Sequence, residues 1–271
     1  MTAPLAVDHD LHVHTFLSAC SEDPQAVPER ILARAAEAGV RTVGFADHLW
    51  DAAVSGASAW YRPQDFDHVS RIRAQLPADP GPVRVLVGCE TEYVGRGRVG
   101  ISPETAARLD FVLVPHSHFH MEGFVRPAEV NTPAAVAALL RERFAEAVEL
   151  EVATGIAHPF LPCIWPDRTD EILGHIPDGA FRDLFGRAAE RGVSIEITTG
   201  AFPSLNGGER PGAHDEAFLR VYARAKEAGC VFHFASDTHR LAGVGRVRDL
   251  EPFVARLGLT ARDLHPLVRR R

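Results

Sequence analysis

Cysteine is scarce in this chain. There are four in 271 residues, Cys20, Cys89, Cys163 and Cys230, with no CxxC pair among them. That scatter speaks against a disulfide framework and makes the reducing cytoplasm the expected compartment. Long apolar runs are missing too: none approaches the ~20 residues needed to span a bilayer, so no membrane association is expected. The opening stretch, Met1 to Asp10, lacks a basic segment followed by an apolar one, and no export leader is expected. Positive charge is not in excess. The formal net charge is −7, which disfavours a broad electrostatic footprint for nucleic acid, and the basic end, Arg269 to Arg271, reads as a solvated tail. No linker rich in Gly, Ser or Pro divides the chain, so residues 1–271 are expected to form one domain. Nothing in the sequence speaks to oligomeric state.

Histidine, by contrast, is plentiful, with 14 residues, and it is the commonest protein metal ligand. Where those histidines fall depends on the secondary structure. One phrase recurs three times. Arg34-Ala-Ala-Glu-Ala-Gly39-Val40, Arg187-Ala-Ala-Glu-Arg-Gly192-Val193 and Arg224-Ala-Lys-Glu-Ala-Gly229-Cys230 each lead into a short apolar run. The Ala/Arg/Glu-rich part favours helix, the glycine suits a left-handed helix stop, and the apolar run suits a buried strand. Strands are expected at 11–13, 42–46, 83–87, 111–114, 154–157, 194–197 and 231–235. Helices are expected at 28–38, 63–76, 133–151, 181–191 and 214–228, several opening near a proline. Seven strands alternating with helices predict a parallel α/β sheet, best built as a distorted (β/α)7 TIM-like barrel. An open doubly wound sheet is the alternative.

Every expected strand carries a His, Asp or Glu in it or at its C-terminal end. Asp10-Leu-His12-Val-His14 ends the first, Asp47-His48 the second, Glu90 the third and His116-Ser-His118 the fourth. His158-Pro ends the fifth, Glu196 lies in the sixth, and Asp237-Thr-His239 ends the seventh. In a barrel these ends converge on one face. Residues i and i+2 of a strand point the same way, so each HxH or DxH pair can present two groups to one side. Singly each motif has an ordinary structural reading, as a satisfied turn or a hydrogen-bonded loop. Together they predict a metal centre suited to Zn, Fe or Mn, with Glu90 placed to bridge two ions.

These pieces, in this order, resemble the PHP (polymerase and histidinol phosphatase) superfamily from about Asp10 to Arg246. Asp10-Leu-His12-Val-His14-Thr15 resembles its opening DxHxHT, Ala46-Asp47-His48 its TDH, and Gly88-Cys-Glu90 its GxE. Asp110 to Phe119 resembles the D(Y/F)VIGSxHSHF segment with one residue fewer. Gly155-Ile-Ala-His158-Pro159 resembles GHP, and Ser236-Asp237-Thr-His239 with Val244-Gly245 resembles SDxH…VG. The resemblance implies a trinuclear centre with His12, His14, His48, Glu90, His116, His158, Asp237 and His239 as ligands. Cys20 stands where relatives carry Asp, Glu or His. A thiolate binds Zn or Fe, but cysteine is also a common buried residue; two or three divalent ions are therefore expected.

The implied reaction is hydrolysis of a phosphate ester by a metal-bound hydroxide, with Asp237 positioning the nucleophile. His118, outside the implied ligand count, is a candidate for contacting phosphate or protonating the leaving group, or for a supporting hydrogen bond. Asp10, Asp47 and Glu196 are expected to orient ligands, although Asp10 could instead support the barrel bottom. Arginines recruit phosphate, and of several in expected loops Arg126 and Arg210 are preferred. Trp60-Tyr61-Arg62 offers an aromatic wall or a cover for the core. The expected function is a stand-alone phosphatase of a small phosphate monoester, with L-histidinol phosphate leading because the chain ends where the barrel does. A nuclease or nucleotide phosphoesterase, and a metal-binding scaffold without turnover, are the alternatives.

Overall fold

The computed structural model describes residues 5–269. Residues 1–4, Arg270 and Arg271, on which the expectations of no leader and of a solvated tail partly rest, lie outside the described residues. Arg269 is not simply solvated, since its guanidinium donates to the Arg262 and Leu264 carbonyls.

The elements run β1 (His9–Val13), α1 (Pro28–Glu37), β2 (Thr42–Phe45), β3 (His48–Leu49), α2 (Phe66–Ser70), β4 (Arg84–Val87), β5 (Cys89–Thr91), β6 (Tyr93–Gly95), β7 (Arg98–Val99), α3 (Pro103–Ala106), β8 (Val112–Pro115), α4 (Pro133–Ala147), β9 (Gly155–Ala157), α5 (Thr169–Gly174), α6 (Asp178–Arg191), β10 (Ser194–Thr198), α7 (Asp215–Glu227), β11 (Phe232–Ala235) and α8 (Glu251–Leu257). All seven expected strands are present within two residues of their predicted bounds. The expected helix at 63–76 is split between α2 and a 3-10 turn at Arg71–Gln75, and α4 stops at Ala147, four residues short of its expected end.

The three repeated phrases end their helices in the same way. Gly39, Gly192 and Gly229 all have positive φ. The amides of Val40, Val193 and Cys230 then reach back five residues, to the carbonyls of Ala35, Ala188 and Ala225. This is the six-to-one bond of a Schellman stop. It turns each chain directly from the helix into a strand.

Apart from the antiparallel β6–β7 hairpin, the strands pair in parallel: β4-β2-β1 form one sheet and β3-β5-β8-β9-β10-β11 the other. Only two residues separate β2 from β3 and one separates β4 from β5, so the two sheets share those strand positions. Seven positions therefore follow one another in chain order around a ring. The seam between β11 and β1 has no ladder. One parallel bridge, Val13 to Thr238, crosses it, and two side chains of β1 supply the acceptors that a ladder would have provided. His9 Nε2 accepts from Phe234 N–H at 2.9 Å, and Asp10 Oδ1 accepts from Ser236 N–H at 2.9 Å. This is the distorted barrel that the alternation predicts. A contiguous set of buried apolar side chains from both sheets and the surrounding helices forms its core.

His9 is fully buried and stacks on Phe234 with ring centroids 4.7 Å apart. Burial, with His233 nearby, lowers its pKa from 6.5 to about 3. A depressed value means that the unfolded chain binds the proton first, so stability from this group is full above pH 6.5 and is lost as pH falls toward 3. Urea unfolding between pH 7 and pH 4 is expected to show falling stability. His9→Gln is expected to flatten that slope, whatever it does to stability at pH 7.

Candidate metal centre

The strand ends converge as expected, and the Glu90 carboxylate lies at the middle of what they bring together. One of its oxygens, Oε2, is 3.3 Å from His12 Nε2, 3.5 Å from His14 Nε2 and 3.1 Å from His48 Nδ1. The other, Oε1, is 3.1 Å from His158 Nε2 and 3.6 Å from His118 Nε2. His12 Nε2 and His14 Nε2 face each other at 3.1 Å, and Asp237 Oδ1 lies 3.5 and 3.3 Å from them. Three groups of side chains have mutually close ligand atoms: His12, His14 and Glu90; Glu90, His118 and His158; and His14, Cys20, His48 and His239. Cys20 thus falls where the resemblance places a ligand.

The outer nitrogens of most of these rings are already occupied. His12 Nδ1 donates to Glu196 Oε2 at 2.9 Å. His14 Nδ1 lies 3.0 Å from Ser18 Oγ; that hydroxyl gives its own proton to Asp47 Oδ1 at 2.6 Å and so accepts from His14. His118 Nδ1 donates to Glu92 Oε2 at 2.7 Å. His158 Nδ1 meets Ser117 Oγ at 3.2 Å, and His239 Nδ1 meets the Asp237 carbonyl at 3.1 Å. These contacts orient the rings and leave their Nε2 atoms facing inward, as partners of metal-binding histidines do.

Backbone geometry helps aim two of the groups. His158 and Asp237, just past β9 and β11, have φ of 29° and 52°. Non-glycine residues rarely adopt this conformation, and it concentrates at functional sites. Glu196 holds the first of these turns by accepting from His158 N–H at 2.9 Å. Asp47 likewise ties down the chain after β1, accepting from Thr15 N–H and Thr15 Oγ–H at 2.7 and 2.8 Å. Asp10 does not orient a ring. It accepts from the amides of His12 and Ser236 and so spans the seam, and burial raises its pKa to about 6.

Charge follows from the same packing. Burial would favour neutral Glu90, but the imidazoles of His12, His48 and His118 outweigh it and hold the carboxyl well below its usual range. Burial would also favour neutral His118, yet Glu92 and Glu90 raise it to about 9. Burial and the nearby carboxylates of Glu90 and Asp237 push the Cys20 thiol upward.

Three expectations need correction. His116 does not join the cluster. Its ring lies in the aromatic core, 5.3 Å from both Phe144 and Phe160, where Nε2 accepts from Phe160 N–H. β8 ends at Pro115, so the i, i+2 rule no longer holds at 116–118, and His118 takes the inward place. Arg126 is buried and spent within its own loop, donating to the Phe119 and Val130 carbonyls and pairing with Glu122. Arg210 pairs with Asp167 in an exposed bridge. Sequence reading overlooked Glu92, although Glu90-Thr-Glu92 has the same i, i+2 spacing as the HxH pairs. It also overlooked Ser18 and Ser117, as well as Arg240 and Arg246, which line a cavity of about 440 Å³ with Asp237 and His239. Trp60 is 39% exposed, with its ring edge-on to His48 at 5.1 Å.

Comparison with known proteins can now be set against this geometry. Over 94% of this chain and 95% of the other, the fold matches histidinol phosphate phosphatase from Lactococcus lactis subsp. lactis Il1403, solved with zinc, L-histidinol and phosphate (TM-score 0.58, 14% identity). The fold is that of the histidinol phosphate phosphatases. A protein from Listeria monocytogenes, provisionally assigned as a histidinol phosphatase, matches over 88% of this chain and 97% of its own, with TM-score 0.62 and 14% identity. In sequence, a Syntrophotalea carbinolica protein provisionally described as a phosphatase is 30% identical over 138 residues. The match spans about half of this chain and about half the length of that curated relative. No family model matches. The histidinol-phosphatase fold is also the one that the motif resemblance implies.

Glu196 provides a direct check on the supporting contacts. Glu196→Gln keeps the shape but loses the charge that faces His12 Nδ1. Competition with a chelator is expected to show metal affinity reduced about tenfold to a hundredfold, the range for lost partners of ligating histidines.

Proposed function

We propose that this chain is a metal-dependent phosphoesterase that cleaves a small phosphate monoester. The observation that carries the reading is the ring of inward-facing donors around Glu90. The donor set fits divalent metal ions. His12, His14, His118, His158 and His239 turn one nitrogen into the cluster while the other is engaged outside it, and among the described residues no arginine or lysine pairs with Glu90 or Asp237. His12, His14, Glu90 and Asp237 would hold one ion, Glu90, His118 and His158 a second, and Cys20, His48 and His239 a third. Nitrogen and oxygen donors suit Zn, Fe or Mn, and the sulfur at the third position favours Zn or Fe. Bound there, such ions supply Lewis acidity toward phosphoryl oxygens and make water a nucleophile at neutral pH.

The chain's own residues account for the rest. The Asp237 side chain, 29% exposed, lines the cavity, where its carboxylate can accept a hydrogen bond from the attacking water and orient it. Arg240, on the rim of the same cavity, is exposed and takes over the phosphate-contacting role expected of Arg126 and Arg210. His118 is a ligand in this reading and not the leaving-group acid. The cavity suits a small ester better than a polymer. Because a similar structure was solved with L-histidinol and phosphate, L-histidinol phosphate is the first substrate to try.

Metal content should be measured alongside phosphate release from L-histidinol phosphate, nucleoside monophosphates and an aryl phosphate. Release from a small monoester that a chelator abolishes is the expected result; full metal loading with no release from any ester would overturn the reading. Arg240→Ala is expected to raise KM about tenfold, as loss of a charged hydrogen bond does, with a smaller effect on kcat. Cys20→Ala is expected to lower metal content by one equivalent of the three while the barrel's circular dichroism is unchanged.

A further inference from the structure

Among the described residues, Arg143 stands out outside the metal centre for two buried donors without a partner. It lies on α4 beside core residue Phe144, and only 6% of it is exposed. Its Nε and Nη1 are buried without a hydrogen-bond partner. The nearest carboxylate oxygen, Glu146 Oε2, is 3.6 Å from Nη1, too far for a hydrogen bond, and that oxygen already accepts from Tyr93 O–H at 2.7 Å. A buried guanidinium keeps its charge and has a planar fork of donors, and leaving those donors unmet is costly.

The surroundings are built to admit this group. Its guanidinium lies against Gly95 on β6; a Cβ at that position would sit 0.8 Å from Nη1. Arg143 also lines a cavity of about 550 Å³ between the β6–β7 hairpin and the loop that precedes α4. Arg96 and Arg98 of the hairpin line it too, against one acid, the exposed Glu129, and Val94, Phe124 and Pro127 give it an apolar side. Phe124 belongs to an aromatic partition. It packs on Trp50 at 5.6 Å and Tyr61 at 6.2 Å, and Tyr61 in turn stands 5.9 Å from His48. The cavity is therefore on the far side of that partition from the metal ligands.

We infer that this cavity is a second binding site, for a small molecule bearing a phosphate or carboxylate with an apolar flank, gripped by Arg143 and Arg96. Arg143 supplies the fixed, desolvated donors that make guanidinium–oxyanion pairs strong. Arg96, on the exposed turn, closes over the anion from the solvent side. The apolar side adds contacts for the organic part of the molecule, while the guanidinium takes the oxyanion with or without that part. The inference is independent of the reaction at the metal centre and holds if that reaction proves to be different.

Two probes distinguish the anion chemistries on the metal-loaded protein: selenate for phosphate and benzoate for carboxylate. Crystals soaked in selenate are expected to show an anomalous peak against the Arg143 guanidinium, separate from any at the metals. In solution, one or both probes are expected to raise the thermal midpoint in a saturable manner. Arg143→Gln should weaken that binding at least about tenfold, as removal of a charge-assisted contact does, and Arg96→Ala should weaken it less. Because Arg96 is on the surface, its variant keeps the test valid if Arg143→Gln does not fold. The inference is overturned if neither probe occupies the cavity in soaked native crystals and neither raises the thermal midpoint of the native protein. It is equally overturned if stabilisation by both probes is unchanged in Arg96→Ala and in any folded Arg143 variant.

Discussion

The burial of Glu90 is the constraint around which the structure is organised. A carboxylate removed from water needs a positive or strongly donating environment, and here the protein supplies imidazoles: His12, His14 and His48 approach one oxygen, His118 and His158 the other. These rings come from four strand ends, so satisfying one side chain requires that the ring of strands be closed. The seam between β1 and β11 is the weak point of that closure. It is held by His9 and Asp10 on the same strand that delivers His12 and His14, which couples the integrity of the barrel to the position of the first two ligands.

A second layer makes the arrangement specific. Glu196 holds His12 by Nδ1 and the His158 backbone by its amide, so one buried acid sets the approach of two ligands from different strands. Glu92 plays the corresponding part for His118 while also accepting from Tyr61. Ser18 passes its proton to Asp47 and so fixes the tautomer of His14. None of these contacts closes on the substrate side. Asp237, which lines the cavity, shares with His158 a backbone held at positive φ, consistent with strain retained where geometry matters to function.

Much of this was legible in the sequence, and what was not has physical causes. The strand positions and helix stops could be read because apolar runs and glycine caps are local signals. The strand-end histidines could be read because a barrel gathers all such ends on one face. The pair His116 and His118 was misread because the two-residue period belongs to extended strand, and the strand ends one residue before the pair. Pro115 closes β8, His116 swings into the Phe144–Phe160 stack, and only His118 faces Glu90. The misreading of Arg126 has a different origin. Whether an arginine is free for a ligand depends on which carbonyls its loop turns inward, and no spacing encodes that. Glu92 was within reach, since it repeats the i, i+2 rule on the strand that carries Glu90. The β6–β7 hairpin, with Arg96 and Arg98, is too short for periodicity to reveal, and the Arg143 contact depends on tertiary packing alone.

The position of Cys20 bears most directly on what the centre can hold. The motif resemblance implies an oxygen or nitrogen donor there, and this chain has sulfur in a pocket where burial and the carboxylates of Glu90 and Asp237 all oppose the thiolate. Without a cation, the group would remain a neutral thiol, a weak donor beside His14, His48 and His239. A divalent ion reverses that balance, because coordination deprotonates a thiol outright. The same ion would offset Glu90 and Asp237, which among the described residues have only imidazoles for partners. In the proposed reading, sulfur at this position would tie the third site to thiophilic metals while leaving the two oxygen-rich sites less selective. In the proposed reading, Cys20 is the one ligand that narrows which metal can fill the centre.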